Sequence, residues 1–175
     1  GMPEQSAEVL DAEGWFSTGD VGEIDEGGRV RITDRKKDLV KTSGGKYIAP
    51  SIIEARLKAL CPIAAHVVVH ADKRNFASAL ITLDPDVAGQ WAASEGIEAD
   101  YAALTADPRV HAFIQTKVDD LNKTLNRWET IKRFRVMDHD FSVETGELTP
   151  SQKVKRRVVE NMYAGLLDQM YEEGR

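Results

Sequence analysis

The stretch DRKKDLVKTSGGKYIAPSIIE, residues 34–54, changes character twice within a few residues. Its opening run Arg35, Lys36 and Lys37 lies between Asp34 and Asp38 and reads as a solvated basic edge. The segment DLVKTSGGKYIAP then turns back on itself with Gly44 and Gly45 at the tip, the pattern of a β-hairpin. Pro50 follows, with its φ already set for the first turn of a helix. Ile53, Leu57 and Leu60 share one face of the helix predicted over SIIEARLKAL. A basic edge, a hairpin and an amphipathic helix in immediate succession point to a mixed fold.

Upstream, VGEIDEGGRVRITD sets Val21, Glu23, Val30 and Ile32 around DEGG and predicts another hairpin. Downstream, AAHVVVH and ASALITL predict two strands joined by the polar ADKRN. PDVAGQWAASEG predicts a helix closed by Gly96. DPRVHAFIQTKVDDLNKTL predicts a longer one, capped by Asp107 and begun by Pro108, with Val110, Phe113, Ile114, Val118, Leu121 and Leu125 as its apolar stripe. IKRFRVM predicts a strand. A last helix is expected from about Ser151, with Val154, Val158, Met162 and Leu166 spaced by four. The expected class is α+β: a small, mostly antiparallel sheet with packed helices, preceded by a hairpin.

The chain of 175 residues is long enough for a real core. Its 23 Lys and Arg against 29 Asp and Glu argue against general nucleic-acid binding and against a polybasic membrane anchor. The single cysteine, Cys61, excludes an internal disulfide and fits a reducing compartment. The longest apolar run, IAAHVVVHA at 63–71, is too short to span a bilayer, so no integral membrane segment is expected. Gly1 before Met2 reads as a tag remnant. His66 and His70 share a strand face but have no zinc-type spacing around them, and DHD at 138–140 does not place three ligands on one point; no metal site is assigned. Trp91 and Trp128 read as packing residues.

Against this acidic background, GELTPSQKVKRR (146–157) sets Lys153, Lys155, Arg156 and Arg157 at the start of the expected last helix. Helix N-termini already carry partial positive charge, so cations there need a reason. Either all four are solvated, or one reaches an anion supplied from elsewhere.

Taken together, GWFSTGD, DRKKDLVKTSGGKYIAPSIIE and GELTPSQKVKRR resemble, in residues, order and spacing, the last three core motifs of the adenylate-forming superfamily. The wording of the last two is most similar to bacterial long-chain fatty acid:CoA ligases. The resemblance implies a two-step reaction. A carboxylate attacks the α-phosphate of ATP to give an acyl-adenylate and pyrophosphate, and coenzyme A then displaces AMP. ATP, fatty acid and CoA are the implied substrates, with Mg²⁺ required by the full-length enzyme and bound outside this chain. No TSGTTG-like phosphate loop occurs in the sequence. The expected organisation is therefore a tail of the large N-terminal domain at 1–34, a hinge at 35–38 and a C-terminal mobile domain at 39–175. The missing large domain is the expected partner, and the chain alone is expected to be inactive. The implied location is the cytoplasm, with peripheral membrane association left open for the full-length enzyme.

Residue by residue, the resemblance assigns Asp20 and Arg35 to the ribose of ATP or AMP, since a carboxylate can take a vicinal diol with both oxygens. It assigns Lys37 to the hinge. It assigns Lys41, Gly44 and Gly45 to a loop that lines the CoA site in the thioester step. It assigns Lys153 to catalysis, touching the substrate carboxylate and the α-phosphate. Gln152 stands where the family usually has glycine, Asp34 where it often has glycine, and the loop is one residue longer than in shorter members. Lys155, Arg156 and Arg157 are expected to be solvated or directed at CoA phosphates. Three alternatives stay open: a stand-alone nucleotide- or CoA-binding or interaction module, another adenylate-forming enzyme such as a peptide-synthetase adenylation domain, and a basic-patch nucleic-acid binder, the last disfavoured by the charge.

Overall fold

The computed structural model describes residues 3–172, without the side chains of Gln5, Thr33 and Asp34. Gly1 lies outside the described residues. The chain divides into two compact units, 1–39 and 40–175.

The first unit holds a short helix α1 (Pro3–Val9), which the sequence reading missed, and the hairpin β1 (Asp20–Ile24) and β2 (Val30–Arg35). Asp25 makes the hairpin turn by accepting the backbone N–H groups of Gly27 and Arg29. The register slips between Val21 and Gly22. A Cβ at Gly22 would lie 2.9 Å from the Arg31 carbonyl oxygen, so the bulge requires glycine there. Leu10, Trp15, Phe16, Ile24, Val30 and Ile32 are all exposed, Trp15 to 72%. So small a unit leaves most of its large apolar side chains uncovered.

The second unit begins with the hairpin β3 (Val40–Lys41) and β4 (Tyr47–Ile48), then α2 (Pro50–Leu60), β5 (Ala64–His70) and β6 (Ala77–Leu83). Helices α3 (Pro85–Ser94), α4 (Tyr101–Ala106) and α5 (Pro108–Asn122) lead to β7 (Ile131–Val136), and α6 (Arg156–Met162) and α7 (Ala164–Glu172) close it. The strands order as β5-β6-β7, with β5 antiparallel and β7 parallel to β6. The class is α+β, as expected; the parallel pair is the departure from the antiparallel rule.

Every residue of β6 is buried. Alternation divides the sheet between two cores. Val67, Val69, Ala79 and Ile81 face α2 and the α3–α5 crossover, against Ile53, Leu57, Ile114, Val118 and Leu121. Val68 and Leu80 face the other way, against Phe141, Leu148, Val159, Leu167 and Met170. Burying a leucine or isoleucine in such a core contributes about 1.5–3 kcal/mol. Polar strand residues on this second side are partnered: Ser78 bonds the Tyr171 hydroxyl at 2.8 Å, and Thr82 donates to Asp140 at 2.6 Å.

Several expectations are corrected. Leu60 is exposed, and Cys61 takes its place in the core. Trp128 is exposed and lies under the Lys46 ammonium at 5.1 Å, whereas Trp91 does pack, against Phe113. The last helix begins at Arg156 rather than Ser151, and it breaks at Tyr163. Val158 and Met162 are therefore exposed, and Val159, Leu167 and Met170 form the buried stripe.

Candidate functional site

In the first unit, Asp20 and Arg35 are cross-strand partners, at the start of β1 and the end of β2. The Arg35 Nε lies 3.4 Å from Asp20 Oδ1. Pairing register thus brings together the two residues assigned to the ribose, though fifteen positions of sequence suggest no such contact. Lys37 follows in a turn fastened by the Asp38 and Leu39 N–H groups, both donating to the Arg35 carbonyl.

In the second unit, the Gly44 loop is a tight turn with its ends tied. Gly45 N–H donates to the Thr42 carbonyl, and Thr42 N–H to the Lys46 carbonyl, both at 2.9 Å. Gly45 has φ +78°, a conformation that disfavours a side chain. Gly44 has no such constraint, and a Cβ there meets only Thr42 Oγ1 at 3.9 Å. The loop seats on the β5–β6 turn, where Ser43 N–H donates to Arg74 C=O and Lys73 N–H to Lys41 C=O. The exposed Lys41 lies over the Tyr47 ring at 5.6 Å.

Lys153 does not open a helix. Leu148 pairs with Val154 as an antiparallel bridge, and the TPSQ segment between them is a turn. Gln152 N–H donates to the Thr149 carbonyl, Thr149 N–H to the Lys153 carbonyl, and Lys153 N–H to Thr149 Oγ1. Gln152 has φ +61°. These are the bonds of a turn followed by a left-handed bulge residue, where glycine is favoured. Thr-Pro at a predicted helix start is also a good turn opening, and the hairpin takes it. Lys153 ends exposed on the outgoing arm.

The four cations therefore have different positions. Arg156 is committed to an ion pair within the fold: its two terminal nitrogens donate to both oxygens of Glu54 on α2, at 2.7 and 2.8 Å. It also donates to the Val69 carbonyl, and Glu54 accepts the Val69 N–H. Arg157 is exposed and Lys155 half-buried.

The sequence reading missed Glu147. Its side chain is fully buried. Burial opposes ionisation, but hydrogen bonds from Thr145, Tyr163 and the Ser142 backbone outweigh it and hold the carboxyl down at about 2. His139, the centre of DHD, joins this group. Its Nδ1 bonds Asp138 at 2.7 Å and its Nε2 the Tyr163 hydroxyl at 2.9 Å. The Asp138 hydrogen bond in particular raises the His139 pKa. A glutamate before Leu-Thr-Pro carries no sequence sign of burial. Among the described residues no three His, Cys, Asp or Glu side chains form a group that could hold a metal ion, and no helix is long and apolar enough to cross a membrane.

Residues 37–175 match the model of the AMP-binding enzyme C-terminal domain. The chain is 39% identical over 170 residues to the long-chain-fatty-acid–CoA ligase FadD15 of Mycobacterium tuberculosis, covering 96% of this chain and 28% of the relative. It is 38% identical over 174 residues to the peroxisomal long chain acyl-CoA synthetase 7 of Arabidopsis thaliana, covering 97% of this chain and 25% of that one. The chain thus spans about a quarter of the length of the curated relatives it matches. Among solved structures, the adenylation domain of a carboxylate reductase from Mycobacterium chelonae superposes with a TM-score of 0.75 at 26% identity, covering 98% of this chain and 25% of that one. The corresponding domain from Segniliparus rugosus, in complex with AMP and a co-purified carboxylic acid, gives 0.74 at 25% identity over 98% of this chain and 26% of that one. With the family match spanning the whole second unit and the Lys153 hairpin inside it, this chain belongs to the AMP-binding enzyme C-terminal domain family.

Proposed function

We propose that the chain is the C-terminal part of an AMP-forming long-chain fatty acid:CoA ligase. The observation that carries this is the 38–39% identity to long-chain ligases across nearly the whole chain, which covers only 28% of FadD15 and 25% of the Arabidopsis synthetase. In this reading the exposed Trp15, Phe16 and Ile32 of the first unit meet the portion of the large domain not present here. Asp20 and Arg35, adjacent across β1–β2, hold the ribose of ATP. Lys153 contacts the carboxylate and the α-phosphate and offsets charge in the adenylation transition state. The Lys41–Gly45 loop serves the thioester step. Lys37 is the hinge about which residues 39–175 reorient between steps. ATP, a long-chain carboxylate and CoA are the substrates, Mg²⁺ is held by residues outside this chain, and the enzyme is cytoplasmic.

The test is a pair of half-reactions in the parent ligase. Lys153→Ala should cut pyrophosphate release from ATP and palmitate about 10²–10³-fold, the range for losing one stabiliser of transition-state charge. It should leave conversion of supplied palmitoyl-adenylate to palmitoyl-CoA intact. Gly44→Leu should do the reverse, and the open space around Gly44 makes it a test of the loop surface rather than of folding. Equal damage to both half-reactions by both variants refutes the division of labour. A second reading, the adenylation domain of a carboxylate reductase, is favoured by the TM-score of 0.75. Formation of palmitoyl-CoA by the parent protein decides against it.

A further inference from the structure

Glu147 sits at the root of the Lys153 hairpin and is bound on both its side-chain and main-chain atoms. Its Oε1 accepts the Tyr163 hydroxyl at 2.7 Å and lies 3.5 Å from His139 Nε2. Its Oε2 accepts from the Thr145 hydroxyl and, at 3.5 Å, from the Ser142 N–H. These donors come from the segment after β7 and from the α6–α7 junction. On the main-chain side, the Glu147 carbonyl accepts the Lys155 N–H at 2.7 Å. The next residue, Leu148, is buried and pairs with Val154. Lys153 has Val154 and Lys155 as its following neighbours, so the strand that carries it is fastened to residues 147 and 148. The Lys153 side chain is exposed, and what fixes its origin is this hairpin.

A buried ionised carboxylate is a poor device for stability alone, because apolar packing of the same volume does as well or better. Fixing one conformation is the better-supported use of such a group. We infer that Glu147, held by Tyr163, Thr145, Ser142 and His139, is a positioning residue that aims Lys153 for the adenylation step. This rests on the role proposed above for Lys153. Glu147 touches no substrate; it acts through the hairpin.

In the parent ligase, Glu147→Gln keeps the side-chain volume and removes the charge. Adenylation kcat should fall about 10–100-fold, the scale for misplacing a reacting group by about 1 Å. KM for ATP and palmitate should stay within about twofold, and so should the thioester half-reaction from supplied palmitoyl-adenylate. Because the effect runs through Lys153, Glu147→Gln combined with Lys153→Ala should be no slower than Lys153→Ala alone. Tyr163→Phe removes one donor and should give a smaller loss with the same selectivity, and it decides the matter if Glu147→Gln does not fold. A parallel drop in both half-reactions, or multiplicative losses in the double variant, would show a merely structural carboxylate and overturn the inference. If Lys153→Ala itself leaves adenylation intact, the role of Lys153 falls, and the positioning role with it. If Lys153→Ala abolishes adenylation while Glu147→Gln and Tyr163→Phe do not reduce it, only the positioning role is lost.

Discussion

Glu54→Ala should be among the most damaging single substitutions at a polar residue of the second unit. Glu54 accepts three hydrogen bonds, from both terminal nitrogens of Arg156 and from the Val69 N–H. The pair is largely buried, with 20% and 14% of the two side chains exposed. Removing one partner of a buried pair costs about 3–5 kcal/mol, and an orphaned buried backbone N–H about 1–3. The residual exposure lets water reach Arg156, so the lower end applies, about 3 kcal/mol. For a unit of this size that is a fall in Tm of roughly 10 °C, and about 1.5 M in urea midpoint. Urea unfolding of the 175-residue chain, followed by tryptophan fluorescence, is the assay. Glu54→Leu with Arg156→Met should cost less than Glu54→Ala alone, because no charge is left unpaired; about 1–2 kcal/mol should remain for the Val69 backbone groups. A loss under about 1 kcal/mol for Glu54→Ala would place the pair with ordinary surface ion pairs and refute the reasoning.

Gln152→Gly should raise stability by up to about 1 kcal/mol, because Gln152 occupies a left-handed conformation at φ +61° that glycine adopts freely; thermal unfolding of the chain would show it, and an unchanged or lower Tm would contradict it. Stability should also decline at both ends of the pH range. At the acid end, the carboxyl of Glu147 is lowered from 4.5 to about 2, so its contribution is present above 4.5 and is lost as pH falls toward 2. At the other end, the imidazole of His139 is raised above 6.5, chiefly by Asp138 with Glu147 adding to it, so its contribution is present below 6.5 and is lost as pH rises through the folded value. His139→Gln should flatten the neutral-to-alkaline decline in Tm; an unchanged slope above pH 6.5 would count against the ion pairs.

Much of the local structure was legible because it is written in local chemistry. Asp107-Pro108 begins α5 because the carboxylate caps the Arg109 N–H and the proline needs no donor. Gly44-Gly45 makes the tip of the β3–β4 hairpin because a left-handed residue is needed there. The stripe Val110, Ile114, Val118 and Leu121 is buried as its spacing required. Where two local readings were equally good, the sequence could not choose. Thr149-Pro150 serves either a helix start or a turn, and the pairing of Leu148 with Val154 favours the turn. That choice moved the helix start to Arg156 and shifted the buried stripe by one residue, from Val158 to Val159.

By itself the sequence determined the strands β5 and β6, the helices α3 and α5 and the three motifs, because periodicity, caps and turn residues act over a few positions; the short α4, although capped by Asp100, was not read from it. Tertiary structure alone decided that β7 runs parallel to β6, since that depends on where the α3–α5 crossover packs. It decided that Asp20 meets Arg35, since that is a matter of register across β1–β2. It also decided which charges are structural. Arg156 and Arg157 are neighbours of like charge in the chain, yet one lies against Glu54 of α2 and the other in water. Glu147 is buried, while Glu144, three positions earlier, is exposed. A charged side chain can be buried only where distant segments supply its partners, and that is a property of the folded chain rather than of the residue.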